Sequence, residues 1–211
     1  VYTFVYEEAP ELVKIYLRRK GKKYRNRKQE QVQSKYQIGE RRMIDDRPKE
    51  IEKREKIWDW EWDTIVWKGH KWAILTLVER KTWYLIAHKL ERGKNAVWVT
   101  NTIQKLWNTT PHEKRKTLTF DNGREFADHK MLEYFTKTTI YFAHPYHSWE
   151  RGTSENTNWL LREYIPKKTD FSTITQEQLD IYVEKINLRP RKRLDYLTPY
   201  EMFHEVCCVS V

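Results

Sequence analysis

The chain predicts an α/β fold, a mixed sheet flanked by helices, and three observations carry that reading. The first is a pair of runs rich in Trp, Ile, Val, Leu and Thr over residues 59–68 and 72–82, broken at Lys68-Gly69-His70-Lys71. With Tyr84 to Leu90 they predict three successive antiparallel strands, the first two joined by a hairpin turn. The second is helical periodicity over 95–107, where Ala96, Val99, Ile103 and Leu106 share a face. The third is the alternation that follows: a short strand from Thr117 to Phe120, a helix from about Glu125 to Lys137, a strand from Thr139 to Ala143, and a helix from near Ser154. Thr175 and Gln178 then form a capping box, and Leu179, Tyr182, Val183 and Ile186 make the apolar stripe of a further helix.

Three strands, helix, strand, helix, strand and then helices suit a sheet covered on both faces, as in the RNase H-like arrangement, where carboxylates cluster at one edge of the sheet. Three acids sit where such a cluster would draw them. Asp63 lies in the first strand-like run, Asp121 ends the Thr117–Phe120 run, and Glu155 opens a helix with 33 residues between it and Asp121. Carboxylates delivered from separate elements can hold two divalent cations about 4 Å apart, the geometry of in-line displacement at phosphorus. Asp59 competes with Asp63 for the first position. Four residues separate the two by about 13 Å along a strand, so only one can join the cluster. The other is expected to pair with a basic side chain.

Charge points to the same substrate. The 211 residues carry 40 Lys and Arg against 30 Asp and Glu, a formal +10 with pI near 9.4, the balance of a protein that meets a polyanion. The excess is concentrated early: residues 1–56 hold 17 basic and 10 acidic side chains. Eight of the eleven residues from Arg18 to Lys28 are basic, and Arg18, Arg19, Lys20, Lys22 and Lys23 are expected to track a DNA backbone or to form a solvated segment. Residues 1–56 therefore read as arm and linker, 57–206 as one folded core and 207–211 as a tail. No stretch of 18 apolar residues and no signal-like start occur, which predicts a soluble, cytoplasmic, nucleoid-associated protein with no membrane partner. Two adjacent cysteines, Cys207 and Cys208, offer neither a disulfide framework nor a cysteine-based zinc site.

The stretches Asp59-Trp60-Glu61-Trp62-Asp63-Thr64, Thr119-Phe120-Asp121-Asn122-Gly123-Arg124-Glu125-Phe126 and Trp149-Glu150-Arg151-Gly152-Thr153-Ser154-Glu155-Asn156-Thr157-Asn158 resemble the DDE transposases of the IS30 family of bacterial insertion sequences. Asn187-Leu188-Arg189-Pro190-Arg191-Lys192 and Thr198-Pro199-Tyr200-Glu201 look like the same family. The resemblance implies a retroviral integrase-like core that cleaves DNA strands and transfers them, with Asp63, Asp121 and Glu155 binding two magnesium ions, manganese being the alternative. It implies DNA contacts from Asn122, Arg151, Asn158 and Arg162. The partners it implies are element ends and target DNA, met by a homo-oligomer in a synaptic complex. The family also carries an N-terminal helix-turn-helix region, of which Val1 to Glu8 look like the last residues.

Departures from the pattern bear on activity. Trp58, Trp62, Trp67, Trp72 and Trp159 stand where the family carries glycine, in a chain with only six glycines and ten tryptophans. A genetic code reading UGA as glycine or a decaying gene copy would each produce this. If the indoles are genuine, Trp58, Trp60 and Trp62 must share one packing layer, with overpacking expected there, and Trp159 is expected to crowd the DNA groove. His144 replaces an acid, and with no cysteine cluster a zinc site at His144 and His147 is not expected. Two other functional readings stand beside transposition. An RNase H-like nuclease would need a fourth carboxylate near the metals, for which the sequence offers no strong candidate. A catalytically decayed remnant would bind DNA only.

Overall fold

In the computed structural model, the described residues are 8, 11, 40–66, 72–93, 95–108, 110, 115–145, 147–167 and 169–209. The expected basic run, with Arg18, Arg19, Lys20, Lys22 and Lys23, and the expected 68–71 turn lie outside them.

Five strands form one mixed sheet: β1 (Asp59–Val66), β2 (Ala73–Glu79), β3 (Leu85–Leu90), β4 (Thr117–Phe120) and β5 (Thr139–Phe142). Their spatial order is β3-β2-β1-β4-β5. The first three strands pair antiparallel through short connections, whereas β4 and β5 join in parallel after helical crossovers, α2 (Ala96–Asn108) and α3 (His129–Thr136). A four-residue helix α1 (Lys49–Glu52) precedes the sheet, and α4 (Gly152–Tyr164), α5 (Gln176–Asn187) and α6 (Pro199–Val209) follow it.

Strand alternation divides the core. Trp58, Trp60, Trp62, Leu75, Leu77, Leu118, Phe120 and Phe142 face Val99, Ile103 and Trp107 of α2 and Leu132 of α3. Ile65, Ile74, Val78, Leu85 and Ala87 face Leu160 and Leu161 of α4 and Leu179 and Ile186 of α5. The expected capping box at Thr175 and Gln178 is present and starts α5.

Three boundaries differ from expectation. Residues 43–52 belong with the folded unit instead of a linker: Met43 bridges to Phe142 on the open edge of β5, and Arg47 is buried and donates to Thr119 Oγ1 at 3.0 Å. Edge pairing and a satisfied buried guanidinium are tertiary facts that polar composition hides. The helix expected from Glu125 is split, because residues 124–126 make a 3-10 turn that points Glu125 and Phe126 inward before α3 begins. At the other end α6 runs to Val209, through part of the expected tail.

The indoles of Trp58, Trp60 and Trp62 pack within one core cluster. Trp60 and Trp62 are fully buried, and each meets Trp107 edge to face at 5.8 Å, an arrangement that gains ring electrostatics as well as burial. Trp58 differs, because its φ of 81° lies in the left-handed region that suits glycine and costs a residue with a Cβ about 1–2 kcal/mol. Its buried ring packs edge-on against Phe203 at 5.5 Å. Deleting a buried tryptophan costs about 3–5 kcal/mol, which exceeds the relieved strain. Trp58→Gly is therefore expected to lower the unfolding free energy by about 2 kcal/mol in urea titrations. A gain in stability would instead mark this indole as overpacked.

Candidate active site

The strand register brings two of the three expected acids together. Glu61 of β1 pairs in parallel with Thr119 of β4. Two residues further along each chain stand Asp63, midway in β1, and Asp121, which directly follows β4. Between their side chains lies Arg151, its Nη1 at 3.5 Å from Asp63 Oδ2 and its Nη2 at 3.6 Å from Asp121 Oδ2. Arg151 is buried and serves as the counter-charge of the pair.

Each aspartate is oriented by its neighbours. Asp63 accepts from the Thr64 backbone N–H at 2.8 Å and from Asn158 Nδ2 at 2.8 Å. Asn158 in turn accepts from Thr76 Oγ1 at 2.8 Å, so its amide links β2 to Asp63. Asp121 accepts from the Gly123 backbone N–H at 2.8 Å. Burial pushes the Asp63 carboxyl up to about 6; Arg151 opposes this and the nearby Asp121 charge adds to it. Two carboxylates facing one guanidinium leave net negative charge in a partly enclosed place. An all-oxygen donor set of this kind fits a hard divalent cation.

Glu155 arrives from α4. It is exposed, one helical turn before Asn158 and therefore on the face that meets Asp63. Asp63, Asp121 and Glu155 do not converge within 4.8 Å as one ligand cluster; among the described residues that closeness occurs at His144, His147 and Glu150.

Two carboxylates that sequence reasoning passed over build the surroundings. Glu61 is fully buried, 3.0 Å from Arg80 Nε, and accepts from the Ser154 backbone N–H at 2.9 Å. It satisfies an otherwise orphaned donor in the first turn of α4 and fixes the helix that supplies Asn158 and Glu155. Glu125 is buried and accepts from Thr64 Oγ1 at 2.7 Å. A Cβ placed on Gly123 would strike the Glu125 carboxylate and lie 2.8 Å from Asp121 Oδ1, so any larger residue there would have to displace both carboxylates. Glu125 is thus a further acid beside the pair, which corrects the expectation that no such candidate exists. Its spacing of four from Asp121 was a readable signal, but the inward 3-10 turn was not.

Asn122 receives a hydrogen bond from Arg41 and donates to the Ala143 carbonyl, tying the ends of β4 and β5. Asp59 is buried and accepts from Thr117 Oγ1 at 2.6 Å, and the nearby Arg80, Lys116 and Arg47 charges favour its ionised form. Arg162, one turn beyond Asn158, lies over the Phe171 ring at 5.7 Å, and its buried Nη1 has no hydrogen-bond partner among the described residues. Trp159 is partly exposed at the neighbouring position on α4.

Comparison with known proteins agrees with this architecture. No protein-family model matches the chain. It is 41% identical over 214 residues to the transposase for insertion sequence element IS4351 of Bacteroides fragilis, covering 98% of this chain and 63% of that protein. It is 41% identical over 160 residues to the transposase InsI for insertion sequence element IS30A of Escherichia coli (strain K12), covering 75% and 41%. The chain thus spans less than two thirds of either relative. The catalytic core domain of BIV integrase superposes with a TM-score of 0.56 at 21% identity, covering 72% of this chain and 96% of that domain, which shows the shared integrase-type fold.

Proposed function

We propose, from the premise that this chain belongs to the IS30 family of insertion-sequence transposases, that it carries the catalytic core for DNA strand cleavage and strand transfer. The observation that carries the reading is the pairing across Arg151 of Asp63, within β1, and Asp121, directly after β4. Asp63, Asp121 and Glu155 would hold two magnesium ions, or manganese in their place, and these supply activation of the attacking oxygen and neutralisation of the leaving 3′-oxygen.

The chain's own residues do the positioning. Asn158 and the Thr64 N–H aim the Asp63 oxygens, the Gly123 N–H aims Asp121, and Glu61 anchors the helix that presents Glu155. Arg162, with a buried N–H in search of an acceptor, suits a phosphate of the DNA backbone. Arg18, Arg19, Lys20, Lys22 and Lys23 would add sequence-independent affinity along the strand. Reaction at two element ends asks for two copies of the chain in one synaptic assembly on the nucleoid.

The buried Glu125 beside Asp121 favours one second reading, an RNase H-like nuclease that cuts without joining. The product separates them: joined DNA supports transposition and nicks alone support the nuclease. In either case Asp121→Asn is expected to abolish magnesium-dependent cleavage while leaving DNA binding within about twofold, measured by gel shift, because a neutral isostere keeps the fold and the basic surface. Retained cleavage in that variant would remove Asp121 from the chemistry and leave a DNA-binding role.

A further inference from the structure

We propose that His144, His147 and Glu150 form a zinc site, separate from the Asp63 and Asp121 pair and independent of the function proposed above. The three residues line the turn between β5 and α4. His144 Nδ1 lies 3.0 Å from Glu150 Oε1 and His147 Nδ1 lies 3.1 Å from the same oxygen, with all three ligand atoms within 4.8 Å of one another. Ligand atoms of a tetrahedral zinc with bonds of about 2.0–2.1 Å stand about 3.3 Å apart. The two nitrogen–oxygen edges, 3.0 and 3.1 Å, are already within tenths of an ångström of that spacing, and the third edge is no longer than 4.8 Å.

The surroundings are those of a metal ligand set. His144 Nε2 faces Asp45 Oδ2 at 2.9 Å, the carboxylate–histidine relay that fixes the tautomer with Nδ1 free to ligate. Glu150 Oε2 accepts the His144 backbone N–H at 2.7 Å, which leaves Oε1 as the coordinating oxygen. The His147 ring stacks on Trp149 at 4.4 Å, which sets its plane. Two imidazoles and one carboxylate suit zinc better than magnesium, and the half-exposed position leaves a fourth place for water. The absence of a cysteine cluster, which argued against zinc in the sequence, does not matter to a His2Glu set. Without metal, His144 would need a proton on both ring nitrogens to serve both carboxylates, so a shared-proton cluster is the competing account.

The site would fasten Asp45, the end of β5 and the turn that leads into Arg151. The test is calorimetric titration of the full chain with zinc chloride in millimolar magnesium, with cobalt(II) absorption as the geometric readout. One zinc per chain is expected, with a tetrahedral cobalt spectrum. His147→Ala should abolish both, and Asp45→Asn, an exposed and conservative change, should weaken zinc binding by about 10–100-fold. Asp121→Asn should leave zinc binding unchanged. Circular dichroism confirms that each variant is folded. No zinc binding, unchanged binding in His147→Ala, or loss in Asp121→Asn would overturn the proposal, the last by assigning the metal to the aspartate pair.

Discussion

Asp63→Asn is expected to stabilise the fold at pH 7.5 while lowering DNA cleavage and joining by about 10³-fold or more, the kinetic equivalent of about 4 kcal/mol of lost transition-state stabilisation. The stability half follows from linkage. Burial holds the folded Asp63 carboxyl at about 6 against an ordinary 3.8, so the native state binds more protons than the unfolded chain between those values. Stability contributed by this group is therefore present below about pH 4 and falls as pH rises to about 6, above which the charged carboxylate remains a burden. The full linkage term is about 3 kcal/mol, and partial solvent access reduces the expected gain to about 2 kcal/mol. Asparagine keeps an oxygen to accept from the Thr64 N–H, while its amide nitrogen replaces the oxygen that accepts from Asn158 Nδ2, so the gain is what remains after that hydrogen bond is lost. Urea denaturation at pH 7.5 and pH 4 checks the sign: the variant should exceed the parent at the higher pH and match it at the lower. Equal stability at pH 7.5 would show that Arg151 already compensates the charge in full.

Arg151→Ala should have the opposite consequence. It removes the counter-charge from two carboxylates at once, and leaving a buried charge unpaired costs about 3–5 kcal/mol. Because Asp121 is about one third exposed, about 3 kcal/mol is the expected loss at pH 7.5. Two rescues are expected in thermal melts. Lowering the pH to 5 should recover part of the loss, since Asp63 protonates there. Magnesium at about 100 times its dissociation constant should return about 2.7 kcal/mol by mass action, provided the aspartates bind it. A variant insensitive to magnesium would argue against a metal at this pair.

The sheet was legible because its signals are local. β4 coincides with the expected strand, and the Thr175 and Gln178 box announces α5 by its own hydrogen bonds. Asp63 and Asp121 were readable as a pair because each ends or interrupts an apolar run. What the sequence could not show depends on partners far along the chain. The resemblance implies DNA contacts from Arg151, Asn122 and Asn158, and it gives no sign that each is also engaged by residues 21 to 95 positions away. Residues 43–52 read as linker because the burial of Arg47 and the edge pairing of Met43 leave no periodic trace. Glu61 and Glu125 drew no reading of their own within the strand and helix patterns. Only the fold turns one toward the start of α4 and the other toward Thr64.

The most direct test of the central claim is a joining assay with labelled duplexes carrying the element's own ends and a plasmid target, run with the parent chain and with Asp121→Asn. The account predicts magnesium-dependent products in which the 3′ end of the labelled strand is covalently joined to the plasmid, absent in the variant despite retained DNA binding. Labelled strand joined equally by both proteins, or by neither while both bind the duplex, would contradict it.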